Sequence, residues 1–269
     1  MIDDLAAVIA HWCADQIGGL SDGDPVDTLP DSIASWNLTG SSTTRPLYRP
    51  TGINSLPAIE FDGTDDFMVS ASQAVTASRL GMAVVFAFSI KNYNPLMYLT
   101  TNSSTPINNS SSRAGSFGYS GGNIRSETSN GSSVAYRYGL PAVATDTTCL
   151  LTSYHYPGRI GYSIDGSDAI ATSSAGDGIG ADLSSTTLYA HLGRRSTSYL
   201  DGMVSEIVLW DEGLLCESLY IEGLLAHKYG ITLPDSHPFY AAAPTAAPGS
   251  GGGGTYAFTG IRNRGIVIP

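Results

Sequence analysis

The amino-acid sequence predicts an all-β fold: two antiparallel sheets of many short strands, packed face to face, with one short C-terminal helix. Two observations support this prediction. Gly (31 residues) and Pro (14 residues), with abundant Ser and Thr, interrupt the chain about every ten residues, as the turns of a β-sandwich do. Near the end of the chain, a strand predicted at residues 201–211 is followed by a helix that stops at Gly230.

The first half of the chain contains the segments that predict buried strands. Residues 5–15 are apolar and fit either a short helix or a first strand. Residues 56–61 predict a strand that ends in a turn at Asp62-Gly63. The nearly continuous apolar run of residues 82–90 predicts a central strand that is covered on both faces. Residues 100–131 are rich in Ser, Asn and Gly, and we expect long loops and weak edge strands there.

Strand patterns return in the second half of the chain and lead into the helix. They cover residues 134–138, 149–156, 159–164 and 188–192. Asp165-Gly166 predicts a hairpin turn. The helix, predicted at residues 214–229, has a broad apolar face composed of Leu214, Leu215, Leu219, Ile221, Leu225, Ala226 and Tyr229. Glu222 falls inside that face, so the amphipathic pattern is imperfect.

The charge balance excludes two classes of partner. The chain carries 13 basic and 24 acidic residues and a formal net charge of -11, so its surface repels phosphate groups. We therefore expect neither nucleic-acid binding nor attachment to an anionic membrane. No apolar run approaches the roughly 20 residues that a bilayer-spanning helix needs, so membrane insertion is not expected either.

The cysteines and the N-terminus bear on localisation. Cys13, Cys149 and Cys216 are odd in number and lack CxxC spacing, which predicts buried free thiols rather than a disulfide framework. The first residues, MIDD, lack the basic region of a secretory signal. We expect a protein made in a reducing cytoplasm without a signal peptide, and release by cell lysis, as for a virion protein, is one route out. The bacterial cell surface is the alternative localisation.

Short motifs at both ends of the chain match a known domain family. The N-terminal matches are His11-Trp12-Cys13-Ala14-Asp15, Asp24-Pro25-Val26 with Trp36, Arg45-Pro46-Leu47-Tyr48 and LPAIEFDGTDDF at residues 56–67. The C-terminal match runs from Asp201-Gly202 to LPDSHPF at residues 233–239. Over residues 8–240 these motifs resemble the concanavalin A-like, laminin-G-type jelly roll of bacterial surface proteins and phage structural proteins. The resemblance implies a two-sheet jelly-roll sandwich but no fixed function, because the family includes lectins, glycan hydrolases, adhesion modules and structural decorations.

Composition divides the chain into three parts: a jelly-roll domain at residues 1–240, a flexible Ala/Pro/Gly linker at residues 241–254, and a tail at residues 255–269. The tail is β-prone and slightly basic, and its expected docking residues are Tyr256, Phe258, Ile261, Arg262, Arg264 and Ile266. Such a peptide can pair with a sheet edge of another virion or surface-assembly protein, so we expect an oligomeric assembly. A disordered tail is the alternative.

Two acidic turns have the oxygen-rich composition that calcium prefers. The predicted calcium ligands are Asp22, Asp24 and Asp27, and Asp62, Asp65 and Asp66 form a second turn of this kind. Neither turn has EF-hand spacing. The alternative is that these aspartates serve the turns through local hydrogen bonds, in which case the protein needs no cofactor.

Tyrosines in the middle of the chain predict a glycan-binding surface. The candidates are Tyr119, Tyr136 and Tyr138, because tyrosine offers a sugar both a ring face and a hydroxyl group. The alternative is that these side chains cover the flanks of the sandwich.

Catalytic motifs are missing from the sequence. Glu60 and Asp62 begin the alternation of carboxylates found in jelly-roll glycan hydrolases, but Gly63 breaks the strand before a further acid lines up. The five histidines occur without a Gly-x-Ser-x-Gly nucleophile elbow, and no P-loop or dinucleotide fingerprint is present. We therefore expect no enzymatic activity.

These observations together predict a structural or adhesive protein. The best-fitting role is an outward-facing component of a phage virion, as a decoration, fibre or tail-associated protein that can also bind a cell-surface glycan. Two alternatives stay open: a glycoside hydrolase or lyase on the same fold, and a bacterial surface adhesion module.

Overall fold

The structure is a computed structural model, and it describes residues 2–77, 80–88, 93–101, 114–120, 123–129, 134–138, 144–156, 159–169, 186–211 and 215–245. The strands in chain order are β1 (Val8–Cys13), β2 (Thr28–Leu29), β3 (Leu38–Thr39), β4 (Leu47–Ile53), β5 (Leu56–Asp62), β6 (Met68–Ser70), β7 (Gln73–Val75), β8 (Leu80–Phe88), β9 (Tyr93–Thr100), β10 (Ala114–Ser120), β11 (Asn123–Ser129), β12 (Val134–Tyr138), β13 (Thr148–Tyr156), β14 (Arg159–Ile164), β15 (Ser167–Ala169), β16 (Thr186–Leu192), β17 (Arg194–Arg195), β18 (Ser198–Tyr199) and β19 (Asp201–Asp211). Helix α1 is Leu215–Lys228, and two short 3-10 helices lie at Ile2–Asp4 and Ala14–Gln16.

These strands form two large sheets and one small hairpin. The first sheet has the strand order β15-β14-β13-β8-β19-β5-β4, and β1 also pairs with β19. The second sheet has the order β12-β11-β10-β9-β16-β6-β3-β2, and β7 also pairs with β16. Strands β17 and β18 form a separate hairpin. Every strand pairing in the described residues is antiparallel, as the predicted sandwich requires.

Strand β8 is buried on both faces, which explains its long apolar run. The side chains that face the second sheet are Leu80, Met82, Val84 and Phe86. The side chains on the opposite face, toward α1, are Ala83, Val85 and Ala87. Because β8 lies between β13 and β19, the prediction of a central strand covered on both faces is confirmed for the described residues.

Helix α1 covers the outer face of the first sheet. Ile221, Leu225 and Tyr229 are buried there in one apolar cluster with Val208 and Trp210 of β19. The helix ends near the predicted residue because Gly230 adopts a φ of 64° and the Ile231 N–H donates to the Ala226 carbonyl at 2.8 Å. Within the described residues, no helix has the length and apolar character to cross a membrane.

The apolar cluster under α1 depends on one close backbone approach. Trp210 is fully buried and pairs with Gly81 of β8. A Cβ atom at residue 81 would lie 2.0 Å from the Trp210 ring, so any side chain there displaces the indole. Glycine is therefore required at this position in β8.

The strand order settles two points that the sequence pattern left open or missed. Within residues 5–15, Val8–Cys13 form strand β1, because pairing with β19 satisfies their backbone groups, and a short 3-10 helix follows at Ala14–Gln16. For residues 100–131 we expected long loops and weak edge strands, and β10 and β11 are indeed strands, but they lie inside the second sheet rather than at its edge. Sheet pairing outweighs the weak strand propensity of their Ser, Gly and Asn residues.

The N-terminal motifs meet in space. Trp12 donates from Nε1 to the Trp36 carbonyl at 2.7 Å, and the two indole centroids are 5.5 Å apart. The buried Asp31 carboxylate accepts backbone N–H bonds from His11, Ala34 and Trp36 at 2.8 to 2.9 Å. These contacts fix the segment between β1 and β3, so these motifs serve the fold.

Candidate functional site

One end of the sandwich gathers the exposed polar residues of several loops. Strand β5 ends there at Asp62, which pairs with Asp201 at the start of β19. Strand β16 also ends there, and Gly193, the next residue, lies against Phe61 and the Asp66 carbonyl. We call residues 62–67, 193–199 and 201 the loop-end surface.

The acidic part of the loop-end surface is the turn after β5. Asp62, Asp65 and Asp66 each offer a carboxylate oxygen within 4.8 Å of the other two. The Asp62 side chain accepts the Thr64 N–H at 2.7 Å, and the Asp66 side chain accepts the Asp62 N–H at 3.0 Å. The aspartates therefore serve the turn through local hydrogen bonds, which was one of the two alternatives. Their oxygens are also of the type and spacing that can hold a hard cation.

Two of these carboxyl groups have shifted pKa values of opposite sign. Burial and the charges of Asp62, Asp65 and Glu60 together raise the pKa of Asp66 to about 6, against the opposing hydrogen bond from the Asp62 N–H. Burial also acts to raise the pKa of Asp62, but backbone hydrogen bonds from the turn outweigh it and the net pKa is lowered. Asp62 is therefore the more strongly acidic group of this pair.

The basic part of the loop-end surface is the β17–β18 hairpin. The Gly193 N–H donates to the Leu96 carbonyl at 2.9 Å, and the Leu200 N–H donates to the Gly193 carbonyl at 2.8 Å. Gly193 has a φ of 85°, and a Cβ atom there would lie 2.6 Å from the Phe61 ring. The base of the hairpin is thus fixed to the core on both sides.

Arg194 lies on aromatic rings in this hairpin. Its guanidinium carbon is 4.7 Å from the Phe67 ring centroid and 5.9 Å from the Tyr199 ring centroid. Its Nε donates to the Ser196 carbonyl at 3.1 Å. The next residue, Arg195, lies 5.9 Å from the buried Tyr98 ring. The sequence analysis did not identify these residues, although two adjacent arginines among only 13 basic residues were the available indication.

A second polar cluster lies between the first sheet and the end of α1, with a buried centre at Glu206 and a partly exposed rim at Asp3, Asp15 and Lys228. We call it the Glu206 network, and its members are Asp3, His11, Cys13, Asp15, Glu206, Lys228 and Tyr229. The Glu206 carboxylate bonds to His11 Nε2 at 2.8 Å, and it accepts from Lys228 Nζ at 2.6 Å and the Tyr229 hydroxyl at 2.8 Å. His11 Nδ1 lies 2.5 Å from Asp3, and Lys228 Nζ lies 2.6 Å from Asp15.

The pKa values in the Glu206 network favour its ion pairs. Burial acts to raise the pKa of Glu206, but the hydrogen bond from His11 and the charge of Lys228 lower it to about 2. Burial acts to lower the pKa of His11 and Lys228, but their carboxylate partners raise both. Burial and the Glu206 charge raise the pKa of the Cys13 thiol to about 12, so this thiol is not a nucleophile near neutral pH. His11, Cys13 and Glu206 have ligand atoms within 4.8 Å of one another, but Lys228 already neutralises the carboxylate.

A third polar cluster, Ser163–Glu222–His237, contains residue types used in hydrolysis but in the wrong arrangement. The Glu222 carboxylate accepts hydrogen bonds from the Ser163 hydroxyl and, at 3.2 Å, from His237 Nε2. Serine therefore contacts the acid, whereas a nucleophile must contact the histidine. All three side chains are buried, so this cluster fastens α1 and the segment after it to β14. His227 has a similar role, since its Nε2 bonds to the Phe239 carbonyl at 2.7 Å.

The structure does not bring the predicted calcium ligands Asp22, Asp24 and Asp27 together. Asp22 pairs with Arg49 at 3.1 Å, and Asp27 pairs with Arg45 at 2.5 Å. Asp24 accepts the Ser21 N–H at 2.7 Å within its own turn. Among the described residues, the acidic groups with metal-ligand spacing are the two named above and not this one. Calcium binding itself stays a prediction.

The three predicted glycan-binding tyrosines lie on two strands of the second sheet. Tyr136 and Tyr138 are alternate residues of β12 and pair with Glu127 and Arg125 of β11. Tyr119 of β10 pairs with Ile124, the neighbour of Arg125. The side chains of these tyrosines lie outside the described part of the structure, so sugar binding by them stays a prediction.

The predicted docking tail lies outside the described residues. This applies to Tyr256, Phe258, Ile261, Arg262, Arg264 and Ile266, and to residues 246–254 of the linker. Cys13 and Cys149 are buried free thiols, as predicted, and the Cys216 side chain is not described.

Comparisons with known proteins identify the fold. No protein-family model and no curated protein matches the sequence. The Trypanosoma rangeli sialidase in complex with sialic acid superposes with a TM-score of 0.52 at 10% identity, over 83% of this chain and 33% of that chain. The protein has a β-sandwich fold of two large antiparallel sheets with one helix. The predicted two-sheet sandwich is thus confirmed and is consistent with a jelly roll, and at this identity the likeness concerns the fold alone.

Two further solved structures match less closely. Domain 4 of AbnA, a GH43 extracellular arabinanase from Geobacillus stearothermophilus in complex with arabinotriose, has a TM-score of 0.47 at 12% identity, over 76% of this chain and 92% of that chain. Domains LG4-5 of the mouse laminin alpha1 chain have a TM-score of 0.45 at 12% identity, over 65% of this chain and 47% of that chain. The chain spans about a third of the length of the sialidase chains.

Proposed function

We propose that the protein is a non-enzymatic adhesive module that binds a glycan through its loop-end surface. We also propose that it is an outward-facing component of a phage virion. One observation carries the proposal. The acid and histidine pairs His11–Glu206 and His237–Glu222 are buried in hydrogen-bonded networks, whereas the polar side chains of the loop-end surface lie in loops at one end of the sandwich. Loops held by a rigid scaffold are where binding sites concentrate.

The spacing of the carboxylates argues for binding rather than hydrolysis. A glycosidase places two carboxyl groups about 5 to 9.5 Å apart on either side of the scissile bond. Glu206 and Glu222 are 2% and 0% exposed and cannot reach a substrate. The oxygens of Asp62, Asp65 and Asp66 lie within 4.8 Å of one another in one turn, which leaves no room for a sugar between them.

The glycan part of the proposal is tested with purified full-length protein. We expect no release of reducing ends from a panel of polysaccharides, and we expect binding to one class of glycan on an array. Asp65→Asn tests the location, because Asp65 belongs to the loop-end surface, and Asp146→Asn is the matched control at an exposed residue elsewhere. Release of reducing ends would instead favour the glycoside hydrolase or lyase.

The assembly part of the proposal rests on the contrast between the acidic body and the basic tail. With a net charge of -11 for the whole chain, the tail residues Arg262 and Arg264 are attracted to a neighbouring copy, and the linker raises the local concentration of the tail. We expect deletion of residues 241–269 to abolish incorporation into particles, and we expect R262A/R264A to weaken it. Normal incorporation of the truncated protein would contradict this role and favour a bacterial surface module.

A further inference from the structure

Arg194 differs from Arg45, Arg49 and Lys228 in how its charge is balanced. Arg45 lies 2.5 Å from Asp27, Arg49 lies 2.5 Å from Glu60, and Lys228 lies 2.6 Å from both Asp15 and Glu206. Among the residues that the structure describes, Arg194 has no carboxylate partner, although acidic residues outnumber basic ones by 24 to 13. Its partly exposed guanidinium therefore stands apart from those three ion-paired cations.

The contacts of Arg194 fix the orientation of its guanidinium group. One edge is held because Nε donates to the Ser196 carbonyl at 3.1 Å. The guanidinium is also confined by two rings, since its carbon lies 4.7 Å from the Phe67 centroid and 5.9 Å from the Tyr199 centroid. The two terminal nitrogens, Nη1 and Nη2, have no hydrogen-bond partner within the described residues. They form a planar pair of donors, and such a pair matches the two oxygens of a carboxylate.

The surroundings of Arg194 restrict which anions can bind. Asp62 and Asp65 lie at the surface of the adjoining turn and repel simple anions, as does the net charge of -11. The same carboxylates accept hydrogen bonds from hydroxyl groups. A ligand that carries both a carboxylate and hydroxyl groups fits a surface of mixed charge better than a simple anion does.

We propose that Arg194 anchors an acidic glycan by binding a sugar carboxylate through Nη1 and Nη2. This inference rests on the glycan-binding function proposed above and names its ligand class, a carboxylated sugar such as a uronate or sialate. The rings of Phe67 and Tyr199 hold the guanidinium in place before the ligand arrives, which lowers the entropic cost of binding.

The test compares three sets of oligosaccharides that are matched in length: neutral, carboxylated and sulfated. We expect wild-type protein to prefer the carboxylated set, and we expect added salt to weaken this binding. Arg194→Ala should weaken it about 10- to 100-fold, because a hydrogen-bonded charge pair is lost. Arg194→Lys keeps the charge but loses the planar donor pair, so its affinity should lie between those of Arg194→Ala and the wild type.

Arg49→Ala is the matched control, since it removes the same charge from a side chain that already has acidic partners. It should leave affinity for the carboxylated set unchanged. Circular dichroism and thermal unfolding of each variant show whether the hairpin variants are folded. Binding that Arg194→Ala does not weaken, or equal binding of the sulfated set, would overturn this inference while the proposed function stands. Absence of binding to every glycan would overturn both.

Discussion

The Glu206 network and the loop-end surface contain the same kinds of residue in opposite circumstances. Each has clustered carboxylates and a cation close to an aromatic ring: Lys228 lies 5.2 Å from the Tyr229 centroid, and Arg194 lies 4.7 Å from the Phe67 centroid. In the network, Lys228 also contacts two carboxylates at 2.6 Å. At the loop-end surface, Arg194 contacts rings and one carbonyl group.

Burial of the carboxylate, not of the cation, explains this difference, since the Lys228 side chain is itself 33% exposed. A charge removed from water must be compensated by hydrogen bonds and an opposite charge, since desolvation is otherwise very costly. Glu206 is 2% exposed and has four side-chain hydrogen-bond partners, which are His11, Cys13, Lys228 and Tyr229. Arg194 is partly exposed, so solvent stabilises its charge and its donors stay available to a ligand. The network therefore serves the fold, and the loop-end surface is the region where the polar groups can serve binding.

The substitution Glu206→Gln should have the largest effect, on stability. It leaves the buried His11 beside a neutral amide, while Lys228, whose side chain is 33% exposed, keeps Asp15 as its partner. We expect a loss of about 3 kcal/mol, the lower end of the range for a broken buried ion pair. Denaturant unfolding measures this change. The control Glu60→Gln removes the partner of Arg49 at a side chain that is 38% exposed, and it should cost less than about 1 kcal/mol. Equal losses for the two variants would contradict the distinction between the two regions.

Asp66 should give a smaller effect that depends on pH and has the opposite sign to that of Glu206. The pKa of Asp66 is raised from 3.8 to about 6, so folded protein holds a proton that the unfolded chain releases, and the free energy of unfolding falls as pH rises through this range. Asp66→Asn keeps an acceptor for the Asp62 N–H and removes the charge. We expect this variant to be more stable than wild type at about pH 7, by on the order of 1 kcal/mol. At about pH 4 the two proteins should be equally stable.

The comparison needs stability curves over the same pH range for Asp65→Asn, which removes one charge from the surface of the same turn. This control should keep most of the wild-type decrease between pH 3.8 and about 6. The pKa of Glu206 is lowered from 4.5 to about 2. The ionised Glu206 therefore stabilises the folded protein above pH 4.5, and this stabilisation is lost as the pH falls below 4.5. Parallel stability curves for wild type and Asp66→Asn would show that the pKa of Asp66 is not raised in the folded protein.

The sequence predicted the sandwich because the properties that determine it are local. The apolar run of β8, the turn residues Asp165-Gly166 and the helix end at Gly230 are all visible in short stretches, and Asp165 and Gly166 do adopt φ values of 51° and 70°. Glu222 was recognised as an acid within an apolar face. Its partner Ser163 is 59 residues away in sequence, so the hydrogen bond that justifies it could not be predicted.

The candidate site was less predictable because it depends on distant contacts. His11 and Glu206 are 195 residues apart, and no local pattern pairs them. Arg194 lies over Phe67 only because Gly193 fixes the hairpin against the Phe61 ring. Tyr119 and Tyr136 were grouped by composition, which carries no information on the pairing of β10, β11 and β12.

Substitutions in the turn at residues 22–27 should have the smallest effect on stability. This turn resembles the acidic turn after β5 in composition but not in the contacts of its carboxylates. Asp22 and Asp27 are neutralised by arginines, and Asp24 bonds to its own turn, so these carboxylates need no cation. The triple variant D22N/D24N/D27N should lose less than about 1 kcal/mol in total, because the carboxylates of both ion pairs are mostly exposed. The difference in melting temperature between calcium-loaded and chelator-treated protein should be the same as in wild type. If wild type is stabilised by calcium and the variant is not, this turn binds the ion, and the arginines must then be displaced on binding.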